Sequence, residues 1–294
     1  MVEKAGNFRQ NGRMALFLVT MAACILSAIT ARADKGNIAY SVHNLSNFVP
    51  SDLKNMSRYI KSNSQGQICI FCHTPHNGNP PTALWNKVMP TQSYNMYTTS
   101  ITLSTTARKV AIPSQESLLC LSCHDGRTAI NVVHNAGSDT NVQTHNADIV
   151  IDIGGTFDDN TNPLKYGYAL GGLGFGNYGP NLGKIGTGAT TAESYYGGNL
   201  TDDHPISFSY SDAWNEKKNK LNDVATVAAK SGGRVRFFGP KARLECSTCH
   251  DPHVNYGADR MGNKWTVGDA HPELRPFLVM DNSTSQLCLS CHIK

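Results

Sequence analysis

The sequence predicts a mostly irregular fold with short helices and few short strands, and three observations lead to this prediction. The 294 residues contain four Cys-x-x-Cys-His motifs, at Cys69–His73, Cys120–His124, Cys246–His250 and Cys288–His292. The stretch 154–198 is dense in glycine and has aromatic residues between the glycines. Few segments outside the motifs have the apolar periodicity of a helix or strand. We therefore expect short helices at the motifs and irregular chain around them.

The first 33 residues have the pattern of an export signal. Lys4, Arg9 and Arg13 precede an apolar run that is too short for a membrane span, and Ala31-Arg32-Ala33 offers a cleavage site. A lipoprotein-like box ending at Cys24 leaves lipid attachment open as an alternative. We expect an exported chain that begins at Asp34 and has no transmembrane segment.

The formal charge of the whole chain is misleading. It is +4 at pH 7, but residues 1–33 contain four basic residues and one acidic residue, so the mature chain is near +1. The composition therefore gives no reason to expect a nucleic-acid partner.

The four motifs predict covalently bound haem c. Eight of the nine cysteines fall into the four pairs, and His directly follows every pair; the ninth is Cys24. Two intervening residues place both thiols on one helical turn, where they can bond the haem vinyl groups, and the adjacent His reaches the iron. Zinc sites and disulfides also use paired cysteines, but neither explains the four histidines. The predicted attachment residues are Cys69, Cys72, Cys120, Cys123, Cys246, Cys249, Cys288 and Cys291, with His73, His124, His250 and His292 as proximal ligands.

Seven further histidines could supply the sixth iron ligand, namely His43, His76, His134, His145, His204, His253 and His271. His76 and His253 each lie three residues after a proximal histidine, about one helical turn further on. Neither can reach the opposite face of its own haem, so each would ligate a different haem, in the same subunit or in a neighbouring one. A propionate hydrogen bond or a solvated ring is the alternative for these two.

The motifs form two doublets, which indicates an internal repeat. Cys69–His76 and Cys246–His253 both read Cys-x-x-Cys-His-x-Pro-His, and each is followed by Cys-Leu-Ser-Cys-His. We expect a signal peptide at 1–33, a dihaem module at 34–150, a connecting segment at 151–240 and a second dihaem module at 241–294.

Regular structure between the modules should be limited. Ile149–Ile153 and Arg234–Phe238 are candidate strands, and Ser211–Ala229 is a candidate helix. A flexible linker is one interpretation of 154–198. We favour a chain that wraps over haem faces through its aromatic residues, which are Tyr166, Tyr168, Phe175, Tyr178, Tyr195 and Tyr196.

Taken together, these motifs resemble the multihaem c-type cytochromes of metal-reducing bacteria, and more narrowly the tetrahaem outer-surface cytochromes of OmcE type that form conductive extracellular filaments. The similarity covers nearly all of the mature chain. It includes His43-Asn-Leu-Ser, Leu84-Trp85-Asn86, Cys120–Gly126, Asp203–Phe208 and the four motifs.

The resemblance implies a multihaem cytochrome c fold in which His43, His76, His204 and His253 are distal iron ligands. It also implies a homopolymer in which one distal histidine, His76 or His43, crosses the subunit boundary. His134, His145 and His271 lie outside the family pattern.

The function expected from the sequence is extracellular electron transfer, at the cell outer surface or beyond it. Other multihaem cytochromes and extracellular acceptors such as metal oxides are the expected partners. A monomeric periplasmic or lipid-anchored electron carrier is the alternative. A multihaem oxyanion reductase is a third reading, but spare histidines outnumber irons and nothing requires an open iron site. We therefore expect no catalytic residues.

Overall fold

A computed structural model of the chain describes residues 38–51, 61–76, 78, 84–91, 93–125, 130–137, 142–145, 148–151, 153–154, 199–201, 203–257 and 270–294. Residues 36–294 form one compact unit. The predicted export signal and nearly all of the glycine-rich stretch 154–198, including its aromatic residues, lie outside the described residues. None of the helices in the described part of the chain is long and apolar enough to cross a membrane.

Regular structure in the described ranges consists of short elements. The α-helices are α1 to α6, at Thr105–Arg108, Gln115–His124, Tyr210–Glu216, Val224–Lys230, Cys246–Cys249 and Gln286–Cys291. Single 3₁₀ turns lie at Ile38–Tyr40, Cys69–Phe71 and Pro272–Leu274. Each of the four Cys-x-x-Cys-His motifs thus contains a helical turn.

The strands are mostly two residues long. They are β1 to β9, at Lys61–Ser62, Asn95–Met96, Val132–Val133, Val142–His145, Asp148–Ile151, Ile153–Gly154, Asn199–Leu200, Phe208–Ser209 and Arg243–Leu244. β3, β5 and β4 form an antiparallel sheet in that order, while β1 pairs with β6, β2 with β7, and β8 with β9. The three two-stranded sheets tie together segments that are distant in sequence, whereas β4 and β5 are neighbours along the chain.

Two expectations from the sequence differ from the structure. Ser211–Ala229 is not one helix but two, α3 and α4, because the intervening segment pairs with the end of the chain. The Asn222 N–H donates to the Cys291 carbonyl, and Leu221 bridges His292. Arg234–Phe238 forms no strand; it follows the left-handed turn at Gly232 and Gly233. The Ile149–Ile153 region does contain strands, β5 and β6.

The chain returns to the first motif through a short backbone clamp. The Thr74 N–H donates to the Leu84 carbonyl at 2.9 Å, and the Asn86 N–H donates to the Cys72 carbonyl at 2.9 Å. Leu84 has a φ of 64°, an unusual value for a residue with a branched side chain. The clamp places Trp85 in a backbone bridge with His73.

The third motif has the same clamp, made from a different sequence. The Asp251 N–H donates to the Phe277 carbonyl at 2.7 Å, and the Val279 N–H donates to the Cys249 carbonyl at 2.9 Å. Phe277 has a φ of 60°, and Leu278 bridges His250. The repeat in the motif sequences therefore extends to the surrounding backbone structure, which the sequence alone does not show. We call 38–151 the first repeat and 203–294 the second repeat.

Asn86 fixes the clamp of the first repeat. It is fully buried, its amide nitrogen donates to the carbonyls of Ile70 and Asn135, and its oxygen accepts from the Asn135 N–H at 2.9 Å. Asn86→Ala leaves these buried groups without partners, at about 1–3 kcal/mol each. We expect a loss of about 3 kcal/mol in unfolding free energy, measured by denaturant titration of the purified protein. Asn47→Ala, which removes one exposed hydrogen bond to Asn63, is the control and should cost under ~0.5 kcal/mol.

Candidate haem-binding site

The first facing pair of histidines joins the N-terminal segment to the second motif. The ring centroids of His43 and His124 are 6.0 Å apart and the rings are nearly perpendicular, at 79°. Phe277 also packs on His43, with centroids 4.3 Å apart. Burial, and then the neighbouring His124 ring, lower the pKa of His43 to about 3. His43 is therefore a neutral imidazole, the form that binds a metal, and its buried Nδ1 has no hydrogen-bond partner.

The second pair joins the two repeats. His73 of the first motif and His253, three residues after His250, have centroids 6.4 Å apart and nearly parallel rings, at 15°. His253 Nδ1–H donates to the Asp251 carboxylate at 2.8 Å, which leaves Nε2 as the nitrogen with a free lone pair. Burial, and then the His253 ring, lower the pKa of His73. His253 thus lies against the histidine of a different motif, as expected from its position one turn after His250.

The third pair lies within the second repeat. His204 and His292 have centroids 6.3 Å apart, at an interplanar angle of 71°. His204 Nδ1–H donates to the Pro205 carbonyl at 2.8 Å, so Nε2 again has the free lone pair. Burial, and then His204, lower the pKa of His292.

All three separations fit two imidazoles on opposite sides of one metal ion. A metal–imidazole nitrogen bond is about 2.0 Å long and the ring centre lies roughly 1.1 Å beyond the nitrogen, so two axial rings would have centroids about 6.2 Å apart. The observed distances are 6.0, 6.4 and 6.3 Å. Rings in direct contact could be closer, as the 4.3 Å between His43 and Phe277 illustrates. Each pair also contains one histidine of a Cys-x-x-Cys-His motif, so the residues present fit a haem iron between the rings.

The remaining motif histidine, His250 of the third motif, has no such counterpart among the described side chains. Its ring is exposed, and Nδ1–H donates to the Pro276 carbonyl at 3.0 Å, which leaves the Nε2 lone pair free. His76, the remaining member of the predicted distal set, is also exposed and faces no other described histidine. Of the predicted proximal and distal ligands, His250 and His76 are thus the two without a facing histidine in the described part of the chain.

The three histidines outside the family pattern lie elsewhere. His134 Nε2 is 3.1 Å from the Lys87 carbonyl, and His271 Nδ1 is 3.1 Å from the Glu273 carboxylate. His145 is the last residue of β4, and its side chain lies outside the described part. Neither His134 nor His271 faces a motif histidine in the way the three pairs do.

The attachment cysteines of successive motifs are neighbours. Burial, and then the nearby Cys123 of the second motif, raise the pKa of Cys72 to about 12. Burial, and then Cys291 of the fourth motif, raise the pKa of the Cys249 thiol to about 12. The motifs are therefore adjacent within each repeat, the first to the second and the third to the fourth.

The second and third motifs meet where the two repeats join. The Cys120 and Cys246 thiols share a hydrogen bond that raises the pKa of Cys120 and lowers that of Cys246. With the contacts inside each repeat, the cysteines of each motif are thus neighbours of those of the next motif in sequence.

A buried carboxylate supports the contact between the second and third motifs, and we did not predict it from the sequence. Glu245, which precedes Cys246, is 1 % exposed; its carboxylate accepts from Ser117 at 2.6 Å, from Ser207 at 2.9 Å and from Arg243 at 3.0 Å. It also caps α5 in a capping box with Thr248. The sequence Glu-Cys-Ser-Thr could have indicated a role for Glu245 at the start of a helix, because an N-cap residue is often paired with the residue three positions later.

Arg243 extends the network to the helix of the second motif. Its guanidinium bonds both oxygens of Glu116 at 2.8 Å, in addition to Glu245. The Glu116 and Arg243 side chains are each about one-third exposed, at 30 % and 31 %. The arginine thus holds α2 of the first repeat against the start of α5 in the second.

A scan of the chain against family models gave no match, and a comparison with curated proteins gave none.

Proposed function

We propose that the chain is an exported electron-transfer protein with four covalently bound haem c groups, and that it works as the subunit of a polymer at the cell outer surface or beyond it. The main support is the set of three facing histidine pairs. Their ring centroids are 6.0, 6.4 and 6.3 Å apart, close to the separation expected for two imidazoles bound to one iron. When bound, haem supplies reversible one-electron chemistry at its iron.

The protein's own residues would hold the haems and fill both remaining coordination positions of each iron. Each Cys pair would anchor one haem through thioether bonds, the following His would be the proximal ligand, and the facing His would fill the sixth position. Two imidazole ligands leave no open site for an oxyanion substrate, so electron transfer is favoured over a reductase. Hydrogen bonds from Nδ1 to Asp251, Pro205 and Pro276 orient three of the rings and fix their tautomers.

The contacts between successive motifs support a continuous electron path. Neighbouring cysteines join the first motif to the second, the second to the third and the third to the fourth. Since each pair of cysteines fixes one edge of a haem, adjacent anchors imply adjacent haems. We therefore propose that electrons pass along the chain in the order of the motifs.

The repeat supports one choice for the histidine that would cross between subunits. In each repeat an early histidine, His43 or His204, faces the proximal histidine of the second motif of its own repeat. His253 instead reaches back from the second repeat to the first motif of the preceding repeat. His76 is the equivalent of His253, and residues 1–68 contain no further Cys-x-x-Cys-His motif that it could face.

The preceding repeat would therefore belong to another copy, in which the equivalent of His73 is His250. His250 is the motif histidine left without a described counterpart. We propose that His76 of one subunit is the sixth ligand for the haem of His250 in its neighbour. The same reasoning removes His43 from this role, because it faces His124 within its own chain.

Mass and spectroscopy of the purified secreted protein test the proposal. We expect a mass increase corresponding to four haems and a purely low-spin ferric spectrum in the polymeric form. Dissociated subunits should instead have one iron in four high-spin, because the sixth ligand of one haem comes from another copy. A polymer-free sample with four low-spin irons would favour the monomeric carrier, and a fully assembled sample with a high-spin iron would favour the reductase.

A further inference from the structure

The two repeats meet through a small face that contains one attachment cysteine from each. α2 of the first repeat packs on α5 of the second. Cys120 lies beside Cys246, and Ser117, three residues before Cys120, donates to the carboxylate of Glu245. Ser117 is fully buried and Glu245 nearly so. This face is therefore covered when one repeat is followed by another.

The repeat predicts a matching half-face at each end of the subunit. The equivalents of Ser117 and Cys120 in the second repeat are Ser285 and Cys288, by their places in the Cys-Leu-Ser-Cys-His motif. Both are exposed. They lie at the start of α6, as Ser117 and Cys120 lie on α2.

The other half-face lies at the first motif. The equivalents of Glu245 and Cys246 are Ile68 and Cys69. Cys69 is exposed and Ile68 is only partly covered, whereas Glu245 is almost fully buried. Of the four first cysteines in the motifs, Cys69 and Cys288 are exposed, and Cys120 and Cys246 are partly covered by each other. The exposed pair belong to the first and the last motif of the sequence.

We infer that copies of this chain join by repeating the internal junction, with the Ile68–Cys69 face of one copy docked on the Ser285–Cys288 face of the next. This inference rests on the proposed polymer and adds the contact surface and its direction. The haem on Cys288 would then adjoin the haem on Cys69 of the next copy, as the anchors at Cys120 and Cys246 adjoin within one chain.

The ligand assignment supports the same direction from different residues. At the internal junction, the repeat that contributes Cys246 also sends His253 back to His73. At a junction between copies, the repeat that contributes Cys69 would send His76 back to His250. Exposed cysteines and unmatched histidines thus point to one head-to-tail arrangement. A head-to-tail contact is heterologous and can extend without limit, as a filament requires.

Two variants with opposite blocked faces test the inference. Ile68→Lys should block one face and Ser285→Lys the other, because a lysine would lose its hydration at a closed junction. Each haem-loaded variant alone should remain monomeric, measured by light scattering on a sizing column and by negative-stain microscopy. A mixture of the two should form dimers and nothing larger, since only one pair of intact faces remains.

Controls separate this inference from the proposed function. Ile101→Lys adds the same charge at a side chain that is 91 % exposed, and it should polymerise like the wild type. Four haems per chain must be retained in each variant; if Ile68→Lys loses haem, Gln67→Lys, at an exposed side chain, replaces it. Long polymers from either variant alone, or from the mixture, would overturn the junction. A four-haem wild type that never polymerises would instead overturn the proposed polymer.

Discussion

His76→Ala is expected to abolish polymer formation while leaving the subunit folded with four haems attached. The side chain is exposed, and the one hydrogen bond recorded for the residue, from Thr74, is accepted by its backbone carbonyl, which alanine keeps. The change in unfolding free energy should stay within ~0.5 kcal/mol. Loss of the crossing ligand should remove filaments from negative-stain images and make one iron in four high-spin.

Two comparisons sharpen the His76 prediction. Added imidazole should restore the low-spin signal of His76→Ala without restoring filaments, because it replaces the ligand but not the link between copies. His271→Ala removes another accessible histidine, one that bonds Glu273, and should polymerise normally. Wild-type filaments from His76→Ala would contradict the assignment of the crossing ligand.

Glu245→Ala is expected to cause the largest loss of stability of any substitution considered. It leaves the O–H groups of Ser117 and Ser207 without their acceptor and removes one partner of Arg243. Removing one member of a buried charge pair costs about 3–5 kcal/mol. The free energy of unfolding of the haem-loaded protein, from denaturant titration, measures this loss.

The partner charge in the same network gives a matched control for Glu245. Glu116 bonds the same arginine but is about one-third exposed, so Glu116→Gln should cost less than about 1 kcal/mol. Glu245→Gln keeps the size of the side chain and should fall between the two. Equal losses for Glu116→Gln and Glu245→Ala would mean that Glu245 does not hold the repeats together. The Soret circular dichroism, which reports on coupling between haems, should change only for the Glu245 variants.

The motifs allowed the attachment residues and the proximal histidines to be predicted from local sequence alone. Two thiols and an imidazole within five residues define their own geometry, whatever the rest of the fold does. The pairing of distal with proximal histidines was not predictable in that way. His253 faces His73, which lies 180 residues earlier, and only the folded chain brings them together.

The errors in secondary structure have a similar cause. The apolar pattern of Ser211–Ala229 is helical, and α3 and α4 do form there. The break between them comes from Asn222, whose side-chain amide donates to the Ser290 carbonyl at 2.9 Å. The backbone clamps at Leu84 and Phe277 have little sequence in common, so the extent of the repeat became visible only as hydrogen bonds.

The contact between His73 and His253 has a consequence for how the protein would mature. If the chain is exported from its N-terminus, as we propose, the first Cys-x-x-Cys-His motif would become available for haem attachment long before His253, the imidazole that faces His73. His124, by contrast, has its counterpart His43 available from the start. We expect the first haem to become fully ligated only after the last part of the chain has been delivered. Truncated chains should therefore carry a complete second site beside an incomplete first one.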